Sequence, residues 1–104
     1  MSKNPRAALR ANMKRLRAQK SLSQAKLAEL IGASTSHVAE IELEHRFPSI
    51  DKLTAIALRL DTTVAELLMD EEEAIEYAEF KQKKVLYNEV AKDLLNEVKR
   101  LWGK

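Results

Sequence analysis

The stretch Gln24–Pro48, QAKLAELIGASTSHVAEIELEHRFP, decides the fold. Ser23, just ahead of it, is placed to cap a helix by accepting from the freed amides of the first turn. Leu27, Ala28 and Ile31 then recur at helical spacing, so one face of that helix is apolar. Gly32 follows the last periodic residue, where a left-handed backbone ends a helix at little cost. After one further residue Ser34 caps again, and Val38 and Ile41 form the next inward stripe. Thr35, Ser36, Ala39 and Glu40 are left on the outer side of this second helix. Two short helices joined by a tight turn, the second opening on small polar residues, suit insertion into the major groove of DNA.

Outward from this core, Asn4-Pro5 is a helix start, because proline is tolerated in a first turn. Leu9, Met13 and Leu16 give that helix one buried stripe. The motif helices are expected over 24–31 and 35–43, followed by a loop at His45-Arg46-Phe47-Pro48. Ser49 caps a fourth helix bearing Leu53, Ile56, Ala57 and Leu60. Thr63 and Glu66 form a capping box for a short fifth helix ending near Met69. Five short helices make a bundle small but able to fold.

From Glu71 to Trp102 there is neither proline nor glycine. The second half of this stretch is sharply amphipathic: Tyr87, Val90, Ala91 and Leu94 share one face, continued by Leu95, Val98, Leu101 and Trp102. Read in heptads, Tyr77, Lys84, Ala91 and Val98 share one seam position and Phe80, Tyr87, Leu94 and Leu101 the other. One long helix or two abutting ones fit this stretch; Lys84 interrupts the seam, and with Lys81 and Lys83 beside it a bend or break is expected near residues 81–85. The acidic run Asp70–Glu73 is the expected boundary, giving a DNA-binding domain over 1–69 and a helical extension over 70–104.

Composition and charge bound the function. The 104 residues are 45% hydrophobic but only 5% aromatic, with two glycines, a composition that disfavours β-architectures and fits an all-α chain. There is no cysteine, which removes disulfides and thiolate metal sites and is consistent with a reducing cytosol. No apolar run reaches membrane-spanning length and no signal peptide is evident, so a cytoplasmic protein without a membrane partner is expected. The net charge of +2 conceals an asymmetry: residues 1–69 hold eleven bases and seven acids, and residues 70–104 seven bases and nine acids. A basic front suits a polyanion, since each neutralised phosphate releases counterions.

The run from about Leu22 to Leu68 resembles the phage repressor and Cro family, the XRE-type helix-turn-helix regulators. The resemblance rests on Leu22-Ser23-Gln24, Leu27-Ala28, Gly32-x-Ser34, Ile41-Glu42, Pro48-Ser49 and Glu66-Leu67-Leu68. It implies a five-helix lambda-repressor-like DNA-binding domain, here with a C-terminal amphipathic helical extension. It also implies roles: Gln24 on backbone phosphate, and base contacts from Thr35, Ser36 and Glu40 at the start and middle of the reading helix. Ser34 serves as cap and phosphate donor, and His37 reaches a phosphate or base edge. His45 and Arg46 lie in the loop laid along the backbone, Arg15 and Arg17 are further clamps, and Glu42 is an inward structural residue. Glu40 has an alternative partner in Arg46. One departure stands out: members usually carry glycine where this chain has Glu44, so helix three is expected to extend or end differently.

The expected function is therefore sequence-specific double-stranded DNA binding as a homodimer on an inverted-repeat operator, with the 87–102 face as the dimer contact. A restriction-modification controller or a small phage-type repressor fits the size. The alternatives are an antitoxin-type protein whose terminal helix binds a toxin, and an adaptor that keeps the fold without reading DNA; RNA polymerase is a further candidate partner through an acidic patch at Glu44. No cofactor, metal site or catalytic grouping is expected: two histidines lack a suitable acid pairing, and there is no phosphate-cradling glycine loop.

Overall fold

In the computed structural model, which describes residues 4–103, each helix begins on a side chain that accepts from its first turn. Six helices follow in order: α1 Pro5–Gln19, α2 Gln24–Ile31, α3 Thr35–Glu42, α4 Ile50–Arg59, α5 Val64–Leu67 and α6 Glu71–Trp102. Asn4 Oδ1 takes the Ala7 amide at 3.1 Å, and Ser23, Ser34 and Ser49 hydroxyls take those of Lys26, His37 and Lys52 at 2.9, 3.1 and 3.2 Å. Thr63 caps α5 through the Glu66 amide at 3.1 Å, while the Glu66 carboxylate receives the Thr62 hydroxyl at 2.7 Å. The reciprocal capping box lies one helix later: Glu73 N donates to Asp70 Oδ1 at 2.8 Å and Asp70 N to Glu73 Oε1 at 3.3 Å.

The helix ends share a second device. After α1, α2, α3 and α4 one residue turns left-handed: Ser21 (φ 55°), Gly32 (φ 67°), Glu44 (φ 62°) and Asp61 (φ 54°). In each case the next amide reaches back to a carbonyl of the last turn: Leu22 to Arg17, Ala33 to Ala28, His45 to Glu40 and Thr62 to Ala57, all at 2.9 Å. Only one of the four positions is glycine. Helix three therefore stops at Glu42, one residue short of the expected Leu43, and closes with a left-handed turn even though glutamate occupies it.

Residues 1–73 form one compact unit, and its buried apolar side chains come from α1 to α5. Leu9 and Met13 from α1 meet Leu27, Ala28 and Ile31, Val38 and Ile41, Leu53, Ile56, Ala57 and Leu60, and Leu67. Burial of each large aliphatic side chain contributes about 1.5–3 kcal/mol. Asn12 and Glu42 are the polar residues buried here among the described residues, and Asn12 ties two elements together. Its amide nitrogen lies 3.2, 2.8 and 2.9 Å from the carbonyl oxygens of Glu66, Leu67 and Met69, joining α1 to the C-terminal end of α5 and the chain just beyond it.

Residues 74–104 form the second unit. The break expected near residues 81–85 does not occur: α6 runs unbroken through Lys84 to Trp102. No proline or glycine interrupts it, and Lys84 lies among exposed residues, so its ammonium stays hydrated without any break in the backbone. No residue of α6 is buried. A smaller apolar group, Ile75, Val85 and Leu86, occupies the side of α6 roughly opposite the 87–102 face.

Candidate nucleic-acid interface

The position of α3 is set from beneath by a buried carboxylate. Glu42 is 1% exposed, and its two oxygens receive Arg17 Nε at 2.7 Å and Arg17 Nη2 at 2.9 Å. Gln24 Nε2 donates to Glu42 Oε2 at 2.8 Å, and Arg17 Nη1 donates to the Leu22 carbonyl at 2.9 Å. One carboxylate thus joins α1, the start of α2 and the end of α3. A two-pronged guanidinium–carboxylate pair is directional as well as strong, so it fixes the roll of α3 and not merely its depth. The expected inward role of Glu42 has a specific content here. Arg17, taken from the sequence as a surface clamp, is turned inward by this pairing, with 16% of its side chain exposed. Gln24 keeps one amide hydrogen and its carbonyl oxygen beyond the Glu42 contact.

The turn between α2 and α3 is held by a residue that local patterns do not flag. Lys52 Nζ lies 2.9 Å from both the Ile31 and the Gly32 carbonyl oxygens, setting a cation on the carbonyl end of α2. No sequence signal connects Lys52 with a turn twenty residues before it. A Cβ at Gly32 would stand 3.7 Å from Lys52 Nζ, in ordinary contact, so glycine is needed there for its positive φ and not for space.

With that support, the outer surface of α3 is specific. Ser34, Thr35 and Ser36 are exposed, and the Thr35 and Ser36 hydroxyls have no intramolecular partner among the described residues. His37 is half-buried; its Nδ1 lies 3.3 Å from Arg46 Nη1, and its Nε2 is buried without a partner. Arg46 Nε lies 3.1 Å from Glu40 Oε2, which realises the alternative pairing read for Glu40. His45 is exposed in the loop beyond. Seven of the ten residues expected at the interface, Ser34 through His37 with Glu40, His45 and Arg46, thus lie on α3 or the chain directly flanking it.

The basic face of α1 is less free than its sequence suggests. Arg10 Nη1 lies 3.4 Å from Glu44 Oε2, Arg6 stacks over the Phe47 ring at 5.8 Å, and Lys20 pairs with Asp61. Arg15 is exposed and donates to Asn12 Oδ1 at 3.3 Å. Arg6 and Arg10 therefore fasten the loop after α3 to α1, a contact the charge count alone conceals. Among the described residues no group of histidine, aspartate or glutamate side chains is arranged to hold a metal ion, and no helix is long and apolar enough to cross a membrane.

The helix-turn-helix family model matches residues 13–67, a little over half the chain. No curated protein matches the chain. Among solved structures, a hypothetical transcription factor, NHTF, from Neisseria is 26% identical with a TM-score of 0.67, over 71% of this chain and 83% of that one. The restriction-modification controller protein C.AhdI from Aeromonas hydrophila is 32% identical with a TM-score of 0.56, over 60% of this chain and 94% of that one. PlcR from Bacillus thuringiensis, solved with the peptide PapR7 and DNA, is 25% identical with a TM-score of 0.62, over 90% of this chain and 36% of that one. With the buried Arg17–Glu42 pair setting α3 beneath an open Ser34–Ser36 edge, these matches establish that the chain belongs to the XRE-type helix-turn-helix family of DNA-binding regulators.

Proposed function

We propose that the protein binds a specific double-stranded DNA operator as a homodimer and thereby regulates transcription. The observation that carries this reading is the unpaired hydroxyl edge of Thr35 and Ser36 on a helix whose other side is locked by Glu42. Base edges present donors and acceptors that such hydroxyls match, and the threonine methyl suits the thymine methyl. Arg46 and His45 would lie along phosphate, with Ser34 and the second Gln24 amide hydrogen at the helix starts. Arg46 then exchanges Glu40 for a phosphate, leaving the Glu40 carboxylate to accept from a cytosine amino group. The similarity to C.AhdI, named as a controller, and to PlcR, solved with DNA, supports the same reading. Two copies reading two half-sites one helical turn apart would form the complex, with the exposed 87–102 face of α6 as their contact.

A second reading has its own support. Because α6 buries no residue, its apolar face is equally open to a different protein, as in an antitoxin or an adaptor. Selection from a random duplex library, followed by affinity measurement at two salt concentrations, separates the two. An inverted repeat with half-sites about one turn apart is expected. Recovery of no motif, with only weak salt-sensitive binding, would put the protein-partner reading first.

A further inference from the structure

The unbroken course of α6 through Lys84 gives its apolar seam a direction. Resting on the homodimer proposed above, we infer that two copies of α6 pair parallel and in register from Tyr77 to Trp102, with the two Lys84 side chains in a single layer. In heptad terms the seam runs Tyr77, Phe80, Lys84, Tyr87, Ala91, Leu94, Val98 and Leu101. It is strong in its last half, where Leu94, Val98 and Leu101 are 62%, 50% and 64% exposed, and weak in its first half. Parallel pairing sets strong against strong along the whole length. Antiparallel pairing at full overlap sets the leucine end against the lysine-rich middle and the acidic start. Antiparallel pairing confined to the strong half leaves Tyr77 and Phe80 in water.

The flanking positions agree. In the parallel register Glu76 of each copy faces Lys81 of the other across the seam, giving two opposite-charge pairs. Lys81 Nζ already lies 4.7 Å from the centre of the Tyr77 ring, at the edge of the seam where Glu76 of a second copy would approach. The pairs that follow are Lys83 with Asn88, Val90 with Leu95 and Glu97 with Trp102, none of them of like charge. Antiparallel full overlap spreads the lysine cost over two layers, each placing an ammonium opposite Leu94. A single lysine at one seam position specifies register and strand number at a cost in stability, and the parallel register confines that cost to one layer. In the parallel arrangement the residue-71 ends of the two helices start side by side, about 10 Å apart.

The absence of cysteine makes this directly testable. Phe80→Cys and Leu101→Cys, prepared separately in the full chain, are oxidised under native conditions after sedimentation has established the oligomeric state. A disulfide needs Cα atoms within about 7 Å. In a parallel pair residue 80 meets 80 and residue 101 meets 101, so each variant yields a covalent species of twice the chain mass. In either antiparallel register the like residues lie at least about 25 Å apart by helix rise, and no such product forms. Mixing Leu101→Cys with Lys84→Cys or with Tyr77→Cys then captures the antiparallel registers instead. A cross-linked mixed pair without the 101–101 product would overturn the orientation while leaving the dimer intact. A monomer by sedimentation would overturn the dimer itself.

Discussion

Thr35 and Ser36 offer short hydroxyl side chains with nothing in the described structure to satisfy them, so their loss should fall on discrimination rather than attachment. Replacing both with alanine should reduce the ratio of operator to nonspecific affinity by roughly tenfold per lost base contact, about 1–3 kcal/mol each. Competition binding with operator and scrambled duplex measures that ratio; an equal loss on both duplexes would count against base reading. Arg46→Ala, by contrast, should weaken binding to all sequences and reduce the salt slope by about one, because a phosphate contact carries no sequence information. Glu44 presents a different balance. Its left-handed backbone costs an L-residue about 1–2 kcal/mol, the extra flexibility of glycine costs about 0.5–1 kcal/mol, and the exposed Arg10 pair contributes about 0–1 kcal/mol. Glu44→Gly should therefore change stability by between about 1 kcal/mol lost and about 1.5 kcal/mol gained, read by denaturant unfolding. It should also tighten DNA binding at low salt by removing a negative charge beside the loop. The sequence marks Glu44 as the departure from the family pattern, yet the ion pair with Arg10, thirty-four residues earlier, is outside any local pattern.

At the level of elements, α3 is placed by a carboxylate that never reaches the surface. Glu42→Ala leaves the Arg17 guanidinium half-buried without its partner, a change that typically costs about 3–5 kcal/mol. If Glu42 sets the roll of α3, Arg17→Lys should retain most of the charge but lose the two-pronged geometry, and operator preference should fall further than stability does. Thermal unfolding and competition binding on the same variant distinguish the two. The helix bounds were legible because caps are local: Ser23, Ser34, Ser49 and Thr63 each act within three residues of themselves. The break expected at Lys84 does not occur because a charged side chain on a helix face leaves the backbone hydrogen bonds intact and no proline or glycine interrupts them.

At the scale of the molecule, the apolar side chains buried to below a tenth among the described residues all lie between Ala8 and Leu67, so stability and self-association should separate. Leu94→Asp with Leu101→Asp should leave the thermal transition of residues 1–73 in place while yielding monomers that bind a palindrome weakly. Sedimentation together with circular dichroism checks both halves, and a dimer unchanged by the two aspartates would locate the contact elsewhere. The first five helices, their caps and the inward stripes were determined by periodicity and short-range hydrogen bonding, which act within one or two turns and are written in neighbouring residues. What the folded chain alone could settle is which charges remain available. Arg17 turns inward to Glu42, Arg10 pairs with Glu44, Lys20 with Asp61, and Lys52 caps a turn two helices away. Each of these contacts joins residues twenty or more positions apart. Such pairings follow from how helices pack, and no local spacing of charges encodes them.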